Sequence, residues 1–114
     1  MISFSLTTPQ FRDGTKDVTR RLGWTFLKAG DRLRAVVKAM GLKKGEHPVE
    51  LGIIEVVSVR REVLREISLE DVRREGFGHL ARQTAQYDFV VMFCEHMRCQ
   101  PTDYVTRIEF KRVH

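Results

Sequence analysis

The run from Val49 to Val59 (VELGIIEVVSV) constrains the fold more than any other segment of this chain. Its density of Val and Ile reads as a β-strand, because branched side chains pack well on a pleated surface and lose freedom in a helix. A strand of this length needs neighbours, since its backbone N–H and C=O groups require partners. With 114 residues the chain holds one modest core, so those neighbours come from within a single domain, residues 1–114.

The neighbours are visible on both sides of that run. Ile2 to Leu6 alternates apolar and polar, as a half-buried first strand does. Thr8 followed by Pro9 starts a one-turn helix, and Gly14 stops it. Val18 to Leu22 alternates again, with Val18, Arg20 and Leu22 on one face and Asp17, Thr19 and Arg21 on the other. Gly30-Asp31 precedes a further strand from Arg32 to Met40, and Gly41 to Pro48 is a turn-rich, basic loop. Ser68 with Glu70 and Asp71 behind it marks a helix start, closed by Gly76. Phe77 to about Met97 is apolar without a period of two, so it reads as helix, broken near Asp88 and ended by Pro101. Val105 to Val113 supplies the last strand. The sum is an α+β domain: a small, closed or half-closed β-barrel of about five strands flanked by two or three short helices.

Charge is distributed unevenly. Between Arg12 and Lys44 there are ten basic residues against three acidic ones, a balance of +7, whereas the whole chain carries +5 and the remainder therefore −2. A basic half on a near-neutral body is the footprint of a polyanion partner, or else a solvated basic face. No apolar run approaches the roughly 18–20 residues of a membrane span, and no basic-then-apolar leader is expected from the first residues. Two cysteines make no disulfide framework, so a reducing cytoplasm is the expected setting.

The chemistry concentrates between Gly14 and Arg21, where a glycine turn, Lys16, Thr19, Arg20 and Arg21 lead into a strand. Threonine is a nucleophile only if a base takes its proton, and lysine serves as that base only with a lowered pKa, which burial and neighbouring arginines supply. Lys16 is three residues from Thr19 and falls on the opposite strand face, so a turn after Gly14 must swing it round. Glu75 can orient water or shuttle a proton if the fold brings it near. The structural alternative pairs Lys16 and Arg21 with Asp17 and Glu75, with Thr19 merely filling a strand position.

These residues carry a resemblance. Gly14-x-Lys16-x-x-Thr19-x-Arg21 resembles the Gly-x-Lys-x-x-x-x-Arg signature of the ASCH domain, a branch of the PUA-like β-barrel superfamily. Gly30-Asp31-Arg32 leading into a strand, Ile67 to Phe77 with its Glu75-Gly76-Phe77 ending, and the final strand are similar to the family in the same order. The resemblance implies a cleft between barrel and helices that takes RNA or a modified nucleoside or nucleotide, with no cofactor and no metal. One branch consists of amidohydrolases that deacetylate acetylcytidine, and Lys16, Thr19 and Glu75 match its lysine, threonine and glutamate. Ribonuclease activity is the less favoured enzymatic alternative. The Gly41 to Pro48 insertion and the longer Gln83 to Met97 segment depart from the short amidohydrolases. Binding is therefore the main expectation, with Lys16, Arg20, Arg21 and Trp24 as contacts, and deacylation the alternative.

Three further features bear on function. Trp24 can stack on a base or fill the core. Lys43 and Lys44 can grip a nucleic-acid backbone without reading sequence. Cys94, His96 and Cys99 are metal-capable but lack the second ligand pair of a structural zinc site, and the apolar segment Tyr87 to Met97 reads as core rather than as a partner-binding face.

Overall fold

The computed structural model describes residues 1–114. In chain order the elements are β1 (Ile2–Ser3), α1 (Thr8–Asp13), β2 (Val18–Arg21), β3 (Arg32–Val36), β4 (Glu50–Val63), α2 (Leu69–Val72), α3 (Ala85–Met97) and β5 (Tyr104–Val113). One sheet contains all five strands in the order β1-β3-β4-β5-β2. Only β1 and β3 run parallel; every other pair is antiparallel. The sheet curls into a half-barrel whose edge strands are β1 and β2, and the Arg21 guanidinium spans the opening, donating to the Ser3 carbonyl of β1 at 2.7 Å.

β4 is the spine of the molecule and runs past the Val49–Val59 expectation to Val63, because β5 continues to pair with it as far as Tyr104. Its charged Arg60-Arg61-Glu62 segment stays in the ladder since its side chains find partners there. A bulge between Val56 and Ser58 lets Val57 drop out of register, which bends the strand and helps the sheet curl.

Several ends differ from the pattern-based expectation. β1 stops at Ser3 rather than Leu6, because the Phe4 carbonyl is taken by Thr7 N–H at 3.0 Å and the Thr8 hydroxyl at 2.7 Å, which diverts the chain. β3 stops at Val36, after a register shift beside Ala35, and not at Met40. The helical segment breaks before Ala85, not near Asp88: Asp88 lies in the first turn of α3, where its carboxylate accepts from Thr84 Oγ1 at 2.8 Å and suits the helix N-terminus. α3 ends at Met97, capped by Arg98 in a left-handed conformation at φ 53°, so the helix stops before Pro101 is reached.

Two apolar bodies flank the sheet. Phe4, Phe11 and Phe110 meet inside the barrel with Ile2, Ala35 and Ile54. On the outer face Val72, Phe89, Phe93 and Val105 join Leu64 and Ile67 to hold the helices against β5. No helix is long and apolar enough to cross a membrane.

Candidate functional site

The site is built where the chain leaves α1 and enters β2. Gly14 adopts φ 83°, a left-handed turn, and its N–H bonds to the Phe11 carbonyl. Thr15 is held by Asp13 Oδ1 through both its N–H (2.8 Å) and its hydroxyl (2.7 Å), and Lys16 N–H bonds back to the Gln10 carbonyl at 3.2 Å. Lys16 therefore precedes the strand instead of obeying its alternation. This is the turn that the sequence required, and it sends the amine inward to Glu75.

Glu75 arrives from the other direction. Ser68 caps α2, accepting from Asp71 N–H at 3.0 Å. The helix then widens through Arg73–Phe77 and breaks at Gly76, whose φ is 102°. A Cβ there would sit 2.8 Å from Gln10 Cβ and Cγ, so the glycine lets this turn close on α1. Lys16 and Glu75 are left only 5% and 3% exposed. Lys16 Nζ donates to Glu75 Oε1 and to the Glu75 carbonyl, each at 2.8 Å.

Behind this pair lies a charged row across three strands. Arg20, Arg107 and Arg60 occupy facing positions on β2, β5 and β4. Arg20 bonds to Glu75 Oε2 (3.2 Å), Asp71 Oδ2 (2.6 Å) and Glu62, and Arg107 holds Asp71 at 2.7 and 3.1 Å. Burial alone lowers the basicity of Arg20, but Glu75, Asp71 and Glu62 outweigh it and raise its pKa. Burial likewise acts to raise the Asp71 carboxyl, and Arg107 and Arg20 overcome it, holding that group well below the usual carboxylate range. For Lys16, burial dominates: it lowers the amine against the pull of Glu75, and Arg21 and Arg20 lower it further.

A cavity of about 250 Å³ opens against these groups. Its polar wall consists of Lys16, Thr19, Arg20, Arg21 and Glu75, and its apolar wall of Phe4, Phe77, Phe89, Phe93 and Met92, with exposed His96 and Met97 beside them. Lys16 and Arg20 have carboxylate partners; Arg21 has none. Arg21 Nε donates to Thr19 Oγ1 at 3.0 Å, Nη2 reaches Ser3 O, and the guanidinium lies 5.1 Å from the Phe4 ring centre. Burial pushes Arg21 down to about 10 against the pull of Glu75, so it stays charged at neutral pH. In the connected network of Lys16, Arg20, Arg60, Arg74 and Arg107 with Asp17, Glu62, Asp71, Glu75 and Glu109, five cations and five carboxylates balance. Arg21 is the excess charge of the cavity.

The structure thus brings together Lys16, Thr19, Arg20, Arg21 and Glu75 from positions 59 residues apart. Of the expected structural pairing, Lys16 with Glu75 is present, and two parts are corrected: Asp17 pairs with Arg74 at 3.0 Å, and Arg21 pairs with neither Asp17 nor Glu75. Trp24 lines neither this cavity nor the larger groove beyond it. It is half-buried at φ 56°, packs on the barrel core and stacks on Phe26 with ring centres 5.7 Å apart. Lys43 and Lys44 sit on the β3–β4 loop, away from both. Cys94 and Cys99 are free, with sulfurs 3.9 Å apart, and no group of three His, Cys, Asp or Glu side chains is placed to hold a metal ion. Sequence reasoning missed the aromatic wall and His96. Their signal was present: Phe89, Phe93, His96 and Met97 follow helical spacing and share one face of α3.

The curled five-stranded sheet, with α2 and α3 packed against its outer face and α1 against the barrel interior, is an ASCH-like α+β fold consistent with a PUA-like barrel. No protein-family model and no curated protein matches the sequence. Among solved structures the chain is similar to a protein of Enterococcus faecalis V583 described by the family model DUF984, at 16% identity over 92% of this chain and 68% of that one, with a TM-score of 0.61. It is also similar to the ASCH domain from Lactobacillus crispatus JV V101, at 18% identity over 98% of this chain and 76% of that one, with a TM-score of 0.57. At such identities the likeness is one of fold.

Proposed function

We propose that this chain binds a modified nucleobase, as a nucleoside or as a base turned out of single-stranded RNA, in the cavity between β2 and α3. The observation that carries the reading is Arg21, a cavity cation with no carboxylate partner. A guanidinium so placed favours a carbonyl or phosphate oxygen. The facing aromatic wall suits the flat, apolar surface of a base. At about 250 Å³ the space admits one base rather than a stacked strand. Calorimetric titration with acetylcytidine and cytidine tests this: saturable binding that Arg21→Met weakens by tenfold or more supports it, and no binding of either compound overturns it.

A second reading is favoured by one observation, the Lys16 amine lowered by burial on the same cavity wall as Thr19. In that reading the chain is an amidohydrolase. Thr19 Oγ attacks the acyl carbonyl of an acylated cytidine while Lys16, in the unprotonated fraction that burial favours, takes its proton and Arg21 faces the developing oxyanion. The C–N bond then breaks as that proton passes to the leaving amine. Water oriented by Glu75 frees the acyl group from Thr19. Loss of acetylcytidine turnover in Thr19→Ala, with binding retained, supports this; absence of turnover in the unaltered protein overturns it.

A further inference from the structure

A second groove, larger than the cavity at about 550 Å³, lies between the Leu22–Gly30 loop and the Val57–Arg61 part of β4. Its polar lining is Thr25, Lys28, Ser58, Arg60, Arg61 and Thr106. Arg60 is paired with Glu62 at 3.0 Å, but neither Lys28 nor Arg61 has a carboxylate partner. Arg61 donates only to Thr106 Oγ1, at 2.9 Å, and that hydroxyl in turn donates to the Gly23 carbonyl.

The groove is tied to the cavity through the sheet register. Arg21 on β2 faces Thr106 on β5, and Thr106 faces Arg61 on β4. Residues opposite one another in a ladder project from the same face, so Arg21, Thr106 and Arg61 form one row. Two strand spacings separate the backbones at its ends, about 10 Å. Each end holds an arginine without a carboxylate, one at the cavity and one in the groove. No acidic side chain lines the groove to repel an anion.

We infer that the groove is a phosphate subsite for the ligand whose base enters the cavity, with Arg61 and Lys28 as its cations. This rests on the nucleobase reading above and extends it from a base to a nucleotide. The phosphate is either the monoester of a free nucleotide or a diester of an RNA strand. Arginine and lysine attract either one, so their engagement is read in the salt dependence of binding, through counterion release for the strand and through screening for the free monophosphate.

The test compares the unaltered protein with the double variant Arg61→Gln, Lys28→Gln, and with Arg65→Gln, Arg82→Gln as a control of equal charge change at exposed positions. Probes are cytidine, cytidine 5′-monophosphate and a labelled cytidine hexanucleotide, each titrated across a salt series. The expected result is unchanged cytidine affinity, a hexanucleotide salt slope that falls by about 0.7 for each phosphate no longer neutralised, and, where the monoester is the ligand, monophosphate binding that is weaker and less sensitive to salt. A reduced slope confined to the hexanucleotide assigns the diester, and one shared with the monophosphate assigns the monoester. Hexanucleotide and monophosphate slopes equal to those of the control overturn the subsite while leaving the cavity reading intact. Failure of the unaltered protein to bind any of these probes or acetylcytidine overturns both.

Discussion

Arg20 and Arg107 face each other across β2 and β5, and one oxygen, Asp71 Oδ2, accepts from both at 2.6 and 2.7 Å. Two cations side by side in a ladder repel; a shared carboxylate from α2 reverses the sign. Asp71 thereby fastens the helical layer to the sheet behind the cavity.

Asp71→Asn should consequently destabilise the fold by about 3–5 kcal/mol, the usual cost of leaving buried charge uncompensated. Urea denaturation measures it. Because the folded Asp71 carboxyl is held below its ordinary value, its contribution is present above the ordinary carboxylate range and is lost as pH falls below it. Acid should weaken the unaltered protein through that window more than it weakens the Asn variant.

Lys16→Met should cost less than Asp71→Asn. Glu75 keeps Arg20 Nη1 at 3.2 Å when the lysine is gone, so its carboxylate remains paired. The two variants measured side by side by urea denaturation give this ranking; a larger destabilisation for Lys16→Met contradicts the charge balance described above.

Gly76→Ala meets two obstacles, a φ of 102° and the 2.8 Å approach to Gln10. The backbone conformation alone costs about 1–3 kcal/mol, and relieving the clash moves α1 away from the Glu75 turn. Lower stability together with weaker nucleoside binding is expected, read by thermal unfolding and calorimetry.

Cys99 should resist alkylation. Burial, with Cys94 close by, pushes its thiol up to about 11, so little thiolate exists at neutral pH. Iodoacetamide labelling of the unaltered protein at pH 7.5, followed by mass spectrometry of tryptic peptides that cleavage after Arg98 separates from Cys94, should run slower at Cys99 than for glutathione and accelerate as pH rises toward that value.

The parts of the fold that are legible in sequence are those specified locally. Gly14, Ser68 and Gly76 each mark a helix boundary through backbone geometry or a cap, and each marks it in the structure. The meeting of Lys16 with Glu75 is one of several charge pairings the sequence leaves open, since nothing local to either residue encodes an encounter across 59 positions. The Asp71 hub has no signal at all: Asp71 reads as an ordinary acidic residue in a first helical turn, and nothing in the last strand marks Arg107 as its partner. Strand ends are hidden where tertiary partners decide them, as at Arg60 to Val63, which looks too charged for a strand until β5 and Arg20 are in place. The expected break at Asp88 falls in the wrong place because a mid-segment acid resembles an interruption, when it serves the first turn of α3.

The most direct test of the central claim is amide chemical-shift mapping during titration with acetylcytidine. The account predicts saturable shifts concentrated in Lys16–Arg21, Glu75–Phe77 and Phe89–Met97, the segments that meet at the cavity, and their disappearance in Arg21→Met. Shifts confined to the Lys38–Lys44 loop, or none at all, would contradict it.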